Sequence, residues 1–318
     1  MAGIAQPNFD GSQIDQIHEA IYSNRAFNIG RMKDVMEEAG CDIVESLNLN
    51  NLFNIKNDSG IHIGCVLKTK RGTSHESFVI HAPFKFGDSP VEKMKRKLKN
   101  ENDKPKKIRQ NSVAVATILT LMLEFSEQNY WSKDILFLIT DDVKRVPFNE
   151  YVSGIQAALT LELESMRVKN INLNIVGNNG QLPNLDLRNV VERLLYYRNL
   201  ESTFNISYHG QRPLSDVEAV GGHWKGRLVR PDAPTPTDFW EFFYDFETGF
   251  DMVKKLAIGY SDGHHGDFLL ERIEALTIRG TGKGGWIPAN IFGYAIEGTS
   301  RSINNLLERF HQSFLYVS

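Results

Sequence analysis

Acidic and histidine side chains follow several apolar segments of this sequence, at points where the strands of a parallel sheet would end. Asp141 and Asp142 follow the run DILFLIT, Glu162 lies in the segment LTLELE, and His264 and His265 lie in the polar loop GYSDGHHGDF. Because ligands of open α/β sheets bind outside the carboxyl ends of the strands, these side chains are candidates for one common site. Three nitrogen or oxygen ligands with a carboxylate nearby can bind zinc and activate its water, so the pattern indicates metal-assisted hydrolysis.

Each of these residues also has a purely structural interpretation. The Asp141-Asp142 pair could cap a helix that follows the strand. Glu162 could point outward from an edge strand, and the two histidines could be exposed in their Gly-rich loop. A competing phosphate-binding motif is incomplete, because GTGKGG at 280–285 lacks the spacing and the Ser or Thr of a P-loop.

The hydrophobic pattern places these residues in a chain of alternating helices and strands. Extended segments are predicted at 42–49, 61–68, 77–83, 134–140, 171–176 and 273–278. Helices are predicted at 14–21, 29–36, 111–125, 186–197 and from 289 onward, with a helical stretch leading into 159–163 and an aromatic helix at 239–246. This alternation predicts an α/β fold with a mixed, largely parallel sheet and helices on both faces.

The composition limits the kind of partner. With 318 residues, 41% of them hydrophobic, the chain can bury a core without disulfides or metals. Its formal net charge of −3 argues against nucleic acid, because phosphate-binding domains usually carry a basic excess. Nine Lys and Arg residues nevertheless fall between Lys93 and Arg109. That stretch indicates either a solvated loop or a surface for anionic lipid headgroups.

Signals of cellular compartment are few. Cys41 and Cys65 could form one disulfide or remain two buried thiols, so the cysteines leave the compartment open. Asn57 and Asn205 lie in Asn-x-Ser triplets and are candidate glycosylation sites. No run of 18 or more apolar residues occurs and no signal peptide is visible, so the chain as given is expected to be water-soluble.

Five segments of the sequence resemble a known family. They are NYWSKDILFLITDD, GIQAALTLELE, GNNGQLPNLDL, HGDFLLERIEALTIRG and LLERFHQSFLY. Their order and spacing are similar to those of the glycosylphosphatidylinositol (GPI) anchor attachment proteins, the non-protease subunits of GPI transamidase. The resemblance implies a zinc-exopeptidase-like three-layer fold and a single lumenal domain over 1–318, with insertions near 88–109 and 211–236. It also implies residence in the endoplasmic reticulum lumen, with flanking transmembrane segments that this chain lacks.

The resemblance extends to di-zinc aminopeptidases and assigns candidate site positions. The Glu-Glu pair of those enzymes corresponds to Asp141, as candidate base, and to Asp142, as a residual metal ligand. Their next acidic ligand corresponds to Glu162 and their last histidine to His265. We therefore expect these four side chains to converge in one cleft.

The remaining positions of the di-zinc site are degenerate. Pro83 and Lys85 stand where those enzymes have a His-x-Asp pair, and Gln110 stands where they have the aspartate that bridges both metals. A register shifted by two residues would keep His81 as the histidine, but Pro83 would then replace the aspartate. A neutral amide cannot bridge two zinc ions as a carboxylate does, so no cofactor is expected beyond one weakly bound zinc.

The damaged site leads to a functional hypothesis. The chain is interpreted as a non-catalytic scaffold that positions substrate within GPI transamidase. Its implied partners are the other subunits, including a cysteine-protease-like catalytic subunit, together with the GPI lipid, the proprotein and, through flanking segments, the membrane. Two alternatives stay open. One is a one-metal amidase that forms the amide bond to the GPI ethanolamine, and the other is a pure subunit-assembly module.

Overall fold

The computed structural model describes residues 9, 11–23, 26–46, 62–70, 75–87, 108–197, 202–203, 250 and 252–305. Several predictions fall outside these residues. They concern most of the basic insertion, the Gly/Pro-rich loop, the aromatic helix and the two glycosylation candidates, Asn57 and Asn205. Among the helices of the described residues, none combines the length and the apolar character that a membrane span requires.

The strands of the described residues form one large sheet and two small ribbons. In chain order they are β1 (Tyr22–Ser23), β2 (Ala26–Phe27), β3 (Asp42–Ser46), β4 (His62–Leu67), β5 (Ser77–Ala82), β6 (Lys85–Phe86), β7 (Arg109–Gln110), β8 (Asp134–Thr140), β9 (Ile155–Leu163), β10 (Arg167–Asn174), β11 (Ser202–Thr203), β12 (Glu274–Lys283) and β13 (Ile287–Pro288). The large sheet has the order β11-β10-β12-β9-β5-β8-β4-β3, and β13 also pairs with β10.

The four central strands, β12, β9, β5 and β8, are parallel. Both faces of these strands are covered, and every residue of β5 and β8 is buried, as expected for a parallel sheet between two helical layers. Because β8 and β9 flank β5 on opposite sides, the direction of the strand order reverses at β5. Ligand crevices of α/β sheets form at such a reversal, outside the carboxyl ends of the strands.

Seven helices of the described residues can be given complete bounds. They are α1 (Ile14–Ile21), α2 (Ile29–Glu38), α3 (Ser112–Glu127), α4 (Phe148–Tyr151), α5 (Leu185–Tyr197), α6 (His265–Leu270) and α7 (Asn290–Asn304). Residues 252–258 are also helical, and 3-10 turns occupy Gly11–Gln13, Val143–Arg145 and Asn178–Gly180.

Two hydrophobic cores lie on opposite faces of the sheet. The larger core contains buried residues of α1, α2, α3, α5 and α7, whereas the smaller core contains Phe268 of α6 and residues near α4. Alternate residues of β5 serve the two cores, since Phe78 and Ile80 join the first and Val79 joins the second. The predicted α/β fold with helices on both faces of the sheet is therefore confirmed.

One local expectation was wrong, and one structural alternative is excluded. The helical stretch predicted before 159–163 is only the four-residue α4, and strand β9 begins at Ile155. Glu162 does not lie on an edge strand, because β9 has β5 on one side and β12 on the other. Its carboxylate therefore points from an interior strand and is fully buried.

A disulfide joins Cys41, just before β3, to Cys65 in β4, with a Cα–Cα distance of 5.8 Å. The two strands also pair, with Ile43 opposite Cys65. The sequence had left a disulfide and two free thiols as alternatives. The antiparallel pairing of β3 with β4 decides between them, because it brings the two side chains within reach of one covalent bond.

Reduction of this disulfide is expected to lower the free energy of unfolding by about 3 kcal/mol, because the bond closes a loop with a sequence separation of 24 residues. Urea unfolding with and without a reductant measures the change. A Cys41→Ser, Cys65→Ser double variant is the control, since its stability should not respond to the reductant. Equal midpoints for the oxidised and reduced wild-type chain would contradict the prediction.

Candidate functional site

The polar residues at the carboxyl ends of the central strands share one side of the sheet. His81 follows Val79 at a spacing of two, and Glu162 follows Ala158 at a spacing of four, so both side chains point to the face of the smaller core. Thr277 and Arg279 of β12 follow Ala275 in the same way. The site is therefore a polar continuation of the smaller hydrophobic core.

The centre of the site is Glu162, whose side chain has no exposed surface. Its Oε2 lies 2.7 Å from Arg279 Nε and its Oε1 lies 2.6 Å from His264 Nδ1. Arg279 stands directly opposite Glu162 in the pairing of β12 with β9. Burial by itself would raise the pKa of Glu162, but the charges of Arg279 and His264 outweigh it and lower the pKa to about 2. Glu162 is thus an ionised carboxylate that the protein itself neutralises.

Arg279 is fixed by further contacts. One guanidinium NH₂ donates a hydrogen bond to the carbonyl of Gly87 at 2.7 Å, and the group lies 5.8 Å from the ring centre of Phe86. Only 7% of its side chain is exposed. If the guanidinium moved away from Glu162, both buried charges would be left without a partner, which is costly.

His264 links the buried pair to the surface. Its side chain is 27% exposed, and its ring centre lies 6.5 Å from that of His81. Burial opposes protonation of the ring, but the hydrogen bond and charge of Glu162 outweigh it and raise the pKa of His264. Nearby Asp141 acts in the same direction. Since the folded pKa is raised, this ion pair stabilises the fold below pH 6.5 and is lost as the pH rises through the folded pKa.

His81 is buried beneath this cluster and is neutral at physiological pH. Its Nε2 lies 2.9 Å from the carbonyl of Thr140 and donates to it, while Nδ1 lies 3.2 Å from Thr160 Oγ1. The ring packs edge-on against Phe268, with 5.3 Å between ring centres. Burial lowers the pKa of His81 to about 3. Both ring nitrogens thus face oxygens of the protein rather than a shared centre with Glu162.

His265, the second histidine of the loop, is the first residue of α6 and is fully buried. Its Nδ1 lies 2.9 Å from Thr277 Oγ1, and its Nε2 lies 3.6 Å from Asp262 Oδ1. Burial lowers the pKa of His265, although the charges of Asp262 and Glu162 oppose the effect. The residue that contacts Glu162 is therefore His264, and His265 packs beside it against β12.

The two aspartates that follow β8 turn to different partners. Asp141 Oδ1 accepts a hydrogen bond of 2.9 Å from the backbone N–H of Lys85, and partial desolvation raises the pKa of its carboxyl group. Asp142 Oδ2 pairs with Arg145 Nε at 2.8 Å. Asp141 lies near His264, whereas the partner of Asp142 is Arg145.

The degenerate positions have structural roles. Lys85 and Gln110 lie opposite each other in the ribbon of β6 with β7. The amide of the adjacent Asn111 is fully buried. It donates to the carbonyls of Pro83 and Leu161 at 2.9 and 3.0 Å and accepts from the N–H of Leu163 at 2.9 Å. One side chain thus joins the start of α3 to the ends of β5 and β9, which orients the site.

These residues do not fit a zinc ion. Both oxygens of Glu162 are engaged, one by a guanidinium that cannot share a ligand with a dication. Asp142 is paired with Arg145, and His265 Nδ1 with Thr277. In the part of the chain that the structure describes, no three His, Cys, Asp or Glu side chains are arranged to hold a metal.

Two features of the site were missed from the sequence. Arg279 is a charged residue inside the apolar segment EALTIRG, and such a residue in a central strand requires a buried counter-charge. The second is the stretch GYSDG at 259–263, which has the spacing of a nucleophile elbow. Its Ser261 follows a helix rather than a strand, and its hydroxyl donates to the carbonyl of Gly263 at 2.6 Å. That geometry does not present a nucleophile.

Comparisons with known proteins agree on one family. Residues 59–317 match a family model described as "Gaa1-like, GPI transamidase component". The GPI transamidase component gaa1 of Schizosaccharomyces pombe is 28% identical over 230 residues, which cover 65% of this chain and 35% of that protein. GAA1 of Saccharomyces cerevisiae is 27% identical over 207 residues, which cover 60% of this chain and 29% of that protein. The chain thus spans about a third of the length of these relatives.

Similar solved structures come from bacterial enzymes. A leucine aminopeptidase precursor from Bacteroides thetaiotaomicron has a TM-score of 0.46 and 12% identity, with coverage of 96% of this chain and 100% of that one. A glutaminyl cyclase from Tannerella forsythia has a TM-score of 0.46 and 9% identity, with coverage of 95% and 100%. At this level of similarity they say nothing about the chemistry of this chain.

Proposed function

Because this chain belongs to the Gaa1-like family of GPI transamidase components, we propose that it takes part in GPI anchor attachment as a non-catalytic domain that positions substrates. The observation that supports this role is the ion cluster of Glu162, Arg279 and His264. A carboxylate with two cationic partners and no exposed surface is neither a base for substrate nor a ligand for a metal.

The proposed contribution is proximity. A cysteine-protease-like subunit would cleave a peptide bond near the carboxyl terminus of the proprotein, release the terminal peptide and keep the acyl group as a thioester on its cysteine. The amine of the GPI ethanolamine phosphate would then attack the thioester, form the amide and release the thiol. A domain that holds either substrate against that subunit raises the rate by converting an encounter into an oriented approach. The other transamidase subunits, the GPI lipid and the proprotein are therefore the proposed partners.

The proposed location is the lumen of the endoplasmic reticulum, on a protein that the membrane holds through flanking segments. The Cys41–Cys65 disulfide supports this placement, since structural disulfides form and persist in oxidising compartments. The family supports association with the endoplasmic reticulum, because its relatives are components of GPI transamidase.

The one-metal amidase is the alternative that an experiment must exclude. It requires Asp141 as base and Asp142 as ligand. The variants Asp141→Asn and Asp142→Asn are made in the full-length protein and expressed in cells whose own gene for this protein has been deleted. We expect GPI attachment in these cells to be almost unchanged. Loss of a general base or a catalytic metal would instead reduce the rate by about 10²-fold or more.

Display of a GPI-anchored reporter at the cell surface measures attachment, and co-purification of the other subunits reports assembly. Asp34→Asn, at an exposed position of helix α2, is the matched control for the loss of one carboxylate. Metal analysis of protein purified without a chelator should find no tightly bound zinc. Loss of attachment with intact assembly, or one or more equivalents of tightly bound zinc, would overturn the scaffold proposal.

A further inference from the structure

A cavity of about 340 Å³ opens on the face of the smaller core, at the amino ends of β9 and β12. Its walls are apolar side chains from two segments of the chain, namely Val143, Val146, Phe148, Val152, Ile155 and Ile273. The volume falls within the range of protein ligand pockets, which begins at about 300 Å³. Ile155 and Glu162 lie at opposite ends of β9, roughly 23 Å apart along the strand, so this cavity is separate from the candidate site.

The turn that follows α6 forms one side of the cavity mouth. The N–H of Arg272 donates to the carbonyl of Leu269 at 3.0 Å, and the next N–H, of Ile273, donates to the carbonyl of Phe268 at 3.0 Å. This pair of bonds is a Schellman motif, in which the position of Arg272 is left-handed and is usually occupied by glycine. Arg272 has a φ of 60° there. A long side chain in this conformation is strained, and strained residues of this kind cluster at ligand sites.

Arg272 brings an unused guanidinium to the mouth. Its side chain is exposed and forms no ion pair or hydrogen bond with the described residues, not even with the adjacent Glu271. Lys144, also on the lining, already pairs with Asp267 at 3.3 Å. The planar fork of an arginine matches a carboxylate, and the charge of Glu271 disfavours a ligand with more than one negative charge. The side-chain amide of Asn149 adds a neutral donor and acceptor to the lining.

We propose that this cavity binds the carboxyl terminus of a peptide that ends in an apolar residue. The terminal side chain packs against Phe148 and the valines, the carboxylate accepts hydrogen bonds from Arg272, and the amide of Asn149 bonds to the preceding peptide group. A fatty acid shares the apolar body and the carboxylate but has no peptide group for Asn149. This inference goes beyond the proposed function and does not depend on it, because the cavity is remote from Glu162.

Nuclear magnetic resonance of the 318-residue chain, with ¹³C-labelled isoleucine δ1-methyl groups, tests the proposal. The Ile273 signal is assigned by its absence in Ile273→Val. N-acetyl-alanyl-leucine is expected to shift this signal in a saturable way. It should bind about tenfold more tightly than its carboxamide, because the carboxamide offers no charge to the guanidinium of Arg272.

Two substitutions of Arg272 separate binding from folding. Arg272→Gln removes the charge and should abolish the preference for the acid over the carboxamide. Arg272→Gly should weaken binding of the acid about tenfold and also raise the urea midpoint of unfolding, because glycine relieves the left-handed strain. A loss of binding in a more stable protein is not a folding defect. Arg193→Gln is the matched control, since it removes an exposed arginine from α5 on the opposite face of the sheet and should keep the affinity.

Three results would overturn the proposal. They are no saturable shift of the Ile273 methyl signal, equal affinity for the acid and its carboxamide, or unchanged affinity in Arg272→Gly. Octanoate bound as tightly as N-acetyl-alanyl-leucine would also overturn it, because the cavity would then be a site for fatty acids. None of these outcomes depends on GPI attachment in cells, so failure here is distinct from failure of the scaffold proposal.

Discussion

Replacing Arg279 with methionine is expected to lower the free energy of unfolding by about 3–5 kcal/mol, because it leaves the carboxylate of Glu162 buried without its main counter-charge. Methionine keeps much of the side-chain volume, so the loss measures charge rather than packing. The hydrogen bond from Arg279 to the carbonyl of Gly87 is also lost, which contributes about 1 kcal/mol. Urea unfolding at neutral pH measures the change.

A double variant tests whether the lost stability comes from the unpaired charge of Glu162 or from the missing arginine side chain. Glu162→Gln together with Arg279→Met removes both charges, and it should recover most of the lost stability because no buried ion remains. Arg31→Met is the matched control. Arg31 and its partner Asp34 are both on the surface, with 65% and 61% of their side chains exposed. The expected loss of stability is therefore about 0.5 kcal/mol or less. A single Arg279→Met variant as stable as this control would contradict the prediction and show that His264 alone compensates the charge of Glu162.

Acid should destabilise the protein through His81. Burial lowers the pKa of this histidine from 6.5 to about 3, so the folded chain keeps the ring neutral while the unfolded chain protonates it. The stabilisation is fully present above pH 6.5 and is lost as the pH falls toward the folded pKa, at about 1.4 kcal/mol per pH unit. Between pH 6.5 and pH 4.5 the loss should amount to roughly 2 kcal/mol.

The groups that face His81 come from several elements. Thr140 of β8 and Thr160 of β9 contact its ring nitrogens, and Phe268 of α6 covers the ring. His264 disfavours its protonation, and Glu162 favours it. In His81→Gln, an amide can still donate to the carbonyl of Thr140 but does not titrate. This variant should therefore lose less stability than the wild type as the pH falls.

The measurement is the free energy of unfolding in urea at several pH values between 4.5 and 7. Other buried histidines contribute equally to the wild type and to His81→Gln, so the difference between the two slopes isolates His81. His75→Gln, which changes an exposed histidine, is the control and should keep the wild-type slope. Parallel curves for wild type and His81→Gln would mean that the unfolded and folded pKa values of His81 are alike.

The site itself was only partly readable from the sequence. The positions of Asp141 and Glu162 at strand ends followed from the apolar runs that carry them, and His264 was a candidate from its polar loop. The structure places these three near one another. The role of Arg279 was not readable. Its partner Glu162 lies on another strand, and only the parallel register of β12 with β9 sets them opposite each other. For the same reason, the sequence could not tell that His264 rather than His265 would contact Glu162.

The sequence by itself determined the fold class and most of the elements, although not strand β9. The apolar runs of β5, β8 and β12 predict buried strands, and the period of three to four in α1 and α2 predicts helices, because these periodicities are local properties of the chain. Tertiary structure alone decided which strands are neighbours. That order made β9 an interior strand, joined Cys41 to Cys65 and set a guanidinium against the carboxylate of Glu162. Each of these depends on pairing between segments far apart in the chain, where no local pattern specifies the partner.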